Sequence, residues 1–131
     1  KLYKAQVVES YENYDLALLK IEAENVPHLQ LAATSTFKQN EHVYFIGNPL
    51  AFSGIANEGK MLGYTQATGM TPDILMMNAP VYRGNSGSPV INEAGEVIGV
   101  VFATGTRDDH GKVGLFIPVE HIHEQFTKEL Y

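Results

Sequence analysis

Cysteine is absent from the 131 residues. No disulfide can brace the fold, and a thiolate nucleophile is excluded. No apolar run approaches the roughly 20 residues that a membrane-spanning helix needs; the longest are strand-sized. Positive charge is scarce. Nine Lys and Arg stand against fifteen Asp and Glu, for a net charge of -6, and the basic residues form no cluster. A nucleic-acid partner needs a basic patch to meet its phosphates, so that class is set aside. A Gly-x-Gly-x-x-Gly loop in a β–α context is also lacking, and no cofactor is expected. The first residue is Lys1 rather than Met, which reads as a processed or trimmed chain.

Short apolar segments broken by turn residues are what is present. Strands are predicted around Lys4–Ser10, over Asp15–Ile21 (buried, from its apolar run) and over Glu41–Gly47, before the break at Asn48-Pro49. Glu22–Gln39 reads as connection. Gly54–Thr68 reads as strand material turning at Asn57–Gly59 and near Gly63, and Asp73–Asn78 as a further strand. Val90-Ile91, Asn92–Gly95 and Val97–Phe102 spell a hairpin, and a second hairpin crosses Thr106–Gly111 to return over Val113–Ile117. After Pro118, the spacing of Val119, Ile122, Phe126 and Leu130 predicts a short amphipathic helix. The pattern is all-β with one C-terminal helix.

Two segments carry chemistry. In Arg83-Gly84-Asn85-Ser86-Gly87-Ser88-Pro89, glycines flank a serine. A serine hydroxyl attacks a carbonyl only when a base takes its proton and N–H donors meet the developing oxyanion. Gly84 lets the backbone turn so that its N–H and that of Ser86 point one way, and Gly87 lets the chain pass behind. Taken alone, the same residues also make an ordinary surface turn. Asp15 opens the apolar run Leu16–Ile21, where an acid either caps a turn or stands beside an imidazole as a triad carboxylate.

The longer stretch Ala79–Val100 resembles the nucleophile segment of trypsin-like, chymotrypsin-fold serine peptidases. Its nearest likenesses are the bacterial HtrA-type and glutamyl-endopeptidase groups. Asp15-Leu16-Ala17-Leu18-Leu19 resembles their triad-aspartate segment, and Gly114-Leu115-Phe116-Ile117-Pro118 their ending. The resemblance implies a double β-barrel, with the remaining part of a first barrel in 1–50 and the second barrel and helix in 51–131. It implies Ser86 as nucleophile, Asp15 as triad acid, and the N–H groups of Gly84 and Ser86 as oxyanion hole. By analogy the primary substrate pocket is bounded by Pro80, Val81, Val101, Phe102 and Ala103, and is apolar.

One part of the family pattern is missing. The general-base histidine should precede the aspartate in a Thr-Ala-X-His context, and none lies ahead of Asp15. His28, His42, His110, His121 and His123 all come later, in unrelated settings. The expectation is a protease whose histidine lies upstream of Lys1, so that this chain alone is inactive. The alternative is a non-enzymatic relative that binds peptides or proteins. His121 and His123 stand two apart, and helical residues at that spacing do not face each other. With Glu120 and Glu124 they read as a solvated helix face and not as a metal site. The expected partner is a peptide or protein substrate, in an extracytoplasmic or secreted setting. An incomplete first barrel leaves open strand edges, to be met by a homodimer, by strand exchange or by an N-terminal piece.

Overall fold

The structure, a computed structural model, describes residues 2–12, 15–47, 55–65, 74–79, 81, 84–107 and 111–126. Among the described residues, eight strands precede one helix: β1 Ala5–Tyr11, β2 Leu16–Ile21, β3 His42–Gly47, β4 Ile55–Thr65, β5 Ile74–Met77, β6 Pro89–Ile91, β7 Val97–Arg107, β8 Gly111–Pro118 and α1 Val119–Gln125. β1 and β2 form a two-stranded antiparallel ribbon. The other six close into a barrel in the order β3-β4-β5-β8-β7-β6. Closure comes from β3 pairing with β6, Tyr44 opposite Ile91 and Phe45 opposite Val90. The all-β architecture with a C-terminal helix is thus the one the sequence pattern predicts.

Alternation builds the barrel interior. On β3, Val43 and Phe45 point inward and are fully buried, while Tyr44 and Ile46 face out. They meet Met61, Leu75, Met77, Val90, Val101 and Phe116 in one core. Gly99 passes where a Cβ would strike the Phe116 ring, so its lack of a side chain is what lets β7 and β8 approach.

Five sequence expectations change. Because β3 is a barrel strand, the partition between the two sheets falls before His42 and not at residue 50. The turn read at Asn57–Gly59 is absent: β4 pairs with β3 straight through it, Phe45 opposite Asn57 and Val43 opposite Gly59. Gly59 is there for space, since a Cβ would lie 2.8 Å from that of Ala79. Near Gly63 there is a register shift between Met61 and Gly63, and the strand continues.

β2 is only half covered, against the buried strand its apolar run suggested. Leu16 and Leu18 pack with Tyr11 on Val119, Ile122 and Phe126 of α1. The other face, with Val7 opposite Leu19 and Ala5 opposite Ile21, stands open. A ribbon has two faces, and α1 covers one.

α1 begins after Pro118, whose extended φ/ψ of -61°/149° sets the entry. Leu130 lies outside the described residues. The helix face carrying Glu120, His121 and His123 is not simply solvated, contrary to the sequence reading. It lies on the connector between ribbon and barrel. His121 is buried, Glu120 accepts the Ser35 N–H at 3.0 Å, and His123 Nε2 donates to Ala32 O at 2.8 Å.

Candidate active site

The serine loop leads directly into β6 and is tied to β7 by main-chain bonds. Gly87 N–H donates to Val101 O at 2.7 Å, and Val101 N–H donates to Ser88 O at 2.9 Å. Within the loop, Ser88 N–H donates to Asn85 O at 3.0 Å. Gly84 and Gly87 hold φ of 99° and 89°, a left-handed backbone that costs other residues roughly 1–2 kcal/mol. The motif therefore keeps glycine where the turn requires it.

Ser86 is exposed at the tip. Among the described residues, its Oγ donates one long bond, 3.4 Å, to Phe102 O. The N–H groups of Gly84 and Ser86 bond to nothing among the described residues. Two free donors beside an exposed hydroxyl can receive an anionic oxygen.

Asn85 anchors this loop from below. It is fully buried, and neither its amide nitrogen nor its oxygen has a partner among the described residues. Its amide fills the space left by Gly47 at the end of β3, where a Cβ would collide with Asn85 Oδ1 and lie 2.6 Å from Ser88 Oγ. Gly47 is a site residue that sequence reasoning misses, because its partner is 38 positions away.

Phe102 is the second feature invisible in the sequence. Val101 pairs with Phe116 and Ala103 with Leu115, so Phe102 is the extra residue of a bulge. A bulge re-aims the strand, and here it offers the Phe102 carbonyl to Ser86.

Of the residues expected around a substrate side chain, Val81 and Val101 turn into the barrel core, while Phe102 and Ala103 remain partly exposed. Pro80 lies outside the described residues. Asp15 sits in the β1–β2 turn with φ 51°, its N–H donating to Glu12 O at 3.2 Å. It is exposed, and its carboxylate bonds to nothing among the described residues. No described hydrogen bond joins Asp15 to Ser86.

The described histidines are occupied elsewhere. His28 Nδ1 bonds to Val26 O, His42 pairs with the Glu58 carboxylate across β3–β4, and His121 and His123 belong to α1. His110 lies outside the described residues. Among the described residues, none hydrogen-bonds Ser86.

Comparison with known proteins gives this arrangement its family. A family model described as trypsin-like peptidase domain matches residues 1–100. The serine protease Do-like HtrB of Bacillus subtilis is 34% identical over 138 residues, covering 95% of this chain and 30% of the relative. A periplasmic serine endoprotease, DegP-like, of Hahella chejuensis is 34% identical over 105 residues, 79% of this chain and 22% of the relative. The crystal structure of the active form of Rv3671c protease from M. tuberculosis superposes with a TM-score of 0.83 at 27% identity, over 98% of this chain and 59% of that one. The chain thus spans under a third of these two curated relatives. With a matching family model over its first hundred residues and serine proteases of the HtrA type as its relatives, this chain belongs to the trypsin-like peptidase family.

Proposed function

We propose that the protein containing this chain is a serine endopeptidase working through an acyl-enzyme. The observation that carries the reading is the exposed Ser86 hydroxyl on a loop fixed to β7, with the N–H groups of Gly84 and Ser86 unengaged among the described residues. Ser86 Oγ attacks the scissile carbonyl carbon while an imidazole takes its proton. The oxyanion is held by the two N–H groups. Collapse breaks the C–N bond, and the imidazolium returns the proton to the departing amine. Water then cleaves the ester by the same steps. Asp15 orients that imidazole, which comes from outside this chain. Phe102 and Ala103, which remain partly exposed, line an apolar subsite selecting small or aliphatic side chains. An extracytoplasmic setting fits the periplasmic relative. The bare face and open edges of the ribbon are covered in the working protein by a second copy or by further strands.

The test is reaction with a fluorophosphonate. The full-length protein should label stoichiometrically at Ser86, and Ser86→Ala should abolish labelling and peptide hydrolysis. Asp15→Asn should lower turnover by roughly 10⁴-fold, the loss a triad aspartate shows in trypsin. The 131-residue chain alone should label slowly or not at all.

A second reading is a non-enzymatic relative that binds peptides. The absence of a histidine on Ser86 among the described residues favours it. A full-length protein that neither labels nor cleaves, yet binds peptide, would establish it.

A further inference from the structure

A groove of about 850 Å³ lies where the connector crosses α1. Among the described residues that line it, none belongs to the Ser86 loop, the β7 bulge or the turn bearing Asp15. The connector contributes Leu29, Leu31 and Ala33. Three carboxylates surround these apolar side chains: Glu96 from the β6–β7 turn, and Glu120 and Glu124 from α1. His28 and His123 also line the groove, but among the described residues no Lys or Arg does.

Two observations say what would fit. The first is electrostatic. Glu120 is held against the connector, yet its Oε1 has no hydrogen-bond partner among the described residues. Burial raises its pKa, but hydrogen bonds, chiefly from the Ser35 main-chain N–H, outweigh this and leave the carboxyl below its ordinary value. It is therefore an anion at neutral pH.

The second is a backbone edge. Leu31 forms a parallel bridge with Val97: Val97 N–H donates to Gln30 O at 2.9 Å, and Ala32 N–H to Val97 O at 2.8 Å. Extended backbone alternates its polar groups, so the N–H and C=O of Leu31 point away from β7. They make no hydrogen bond among the described residues. An extended peptide could add to this edge by main-chain pairing.

We propose that this groove binds an extended peptide segment with Lys or Arg at alternate positions, its apolar side chains resting on Leu29 and Leu31 and its cations meeting Glu96, Glu120 and Glu124. The site is separate from the protease chemistry and does not rest on it. It bears on the joint of the molecule, because Leu31 also packs in the cluster through which α1 joins ribbon and barrel.

The experiment uses acetyl-Lys-Val-Lys-Val-Lys-amide and the full-length protein carrying Ser86→Ala, so that the peptide survives whether or not the protein is a protease. Calorimetry should give saturable binding that weakens with salt. Glu96→Gln/Glu124→Gln should weaken it at least about tenfold, while the control Glu9→Gln/Glu22→Gln should leave it unchanged. Amide resonances of Leu31 and Ala33 should shift on titration of the 131-residue chain. The proposal is overturned by no binding, by equal affinity in the groove variant, or by equal affinity for acetyl-Asp-Val-Asp-Val-Asp-amide.

Discussion

In the barrel, Phe45, Met61, Leu75, Met77, Val90 and Phe116 expose no surface, whereas in the ribbon Val7 and Leu19 remain 63% and 56% exposed. Both regions are β-sheet built from alternating apolar residues, so composition does not explain the contrast. Closure does. Six strands paired edge to edge in a ring leave no free edge and enclose one face completely. Two strands leave two edges and two faces, and the helix covers one face. The two candidate triad residues are divided between these regions: Ser86 on a loop that the barrel fixes, Asp15 on a turn that the ribbon leaves exposed. The closed part carries Ser86, and the half-covered part carries Asp15.

The contrast is most sharply tested by truncating one side chain in each region. Phe116→Ala should cost about 3–5 kcal/mol in urea unfolding. Leu19→Ala should stay within about 0.5 kcal/mol. A large loss at Leu19 would mean that the ribbon's open face is covered in solution and that the contrast is false.

Next in size is Gly47→Ala. The added methyl must displace Asn85 and Ser88, an overpacking cost of about 1–3 kcal/mol. It should also loosen the Ser86 loop, read as faster hydrogen exchange at Gly87 N–H, whose acceptor is Val101 O. Unchanged exchange would show that Asn85 does not hold the loop in place.

Acid should work at the joint between the two regions. Glu120 has a folded pKa below its ordinary value of 4.5, because hydrogen bonds from Ser35 outweigh burial. Its contribution to stability is therefore present above that ordinary value and is lost as pH falls through the lower folded value. The stability difference between wild type and Glu120→Gln should shrink on titration from pH 6 to pH 3. A constant difference would place the effect in packing and not in charge.

The smallest effect expected on intrinsic stability is at the ribbon surface. Val7→Lys/Leu19→Lys should barely move the unfolding midpoint at low concentration. If the chain pairs edge to edge with a second copy, the same change should shift light scattering towards 14.4 kDa. A wild-type chain that stays at that mass at high concentration removes the self-pairing idea.

Much of the fold is legible in the order of residues. Period-two segments separated by Gly, Asn and Pro mark strands, and the three-and-four spacing after Pro118 marks the helix, because both follow from local backbone geometry. Gly84-Asn85-Ser86-Gly87 is legible because a tight turn restricts its residue types locally. The half-exposure of β2 is not legible, since an apolar run records what a strand can bury and not whether a neighbour arrives to bury it. Asn57–Gly59 mimics a turn because Gly59 serves a contact with Ala79 twenty positions away.

Local conformation and the chemical identity of the serine segment are therefore set by the residues themselves, through short-range sterics and side-chain chemistry. Tertiary packing settles the rest: which strands close together, that β3 belongs to the barrel, that Phe102 bulges towards Ser86, and that Glu120 and His123 pin the connector. Those outcomes depend on pairing and packing between residues tens of positions apart, where no local preference selects the partner.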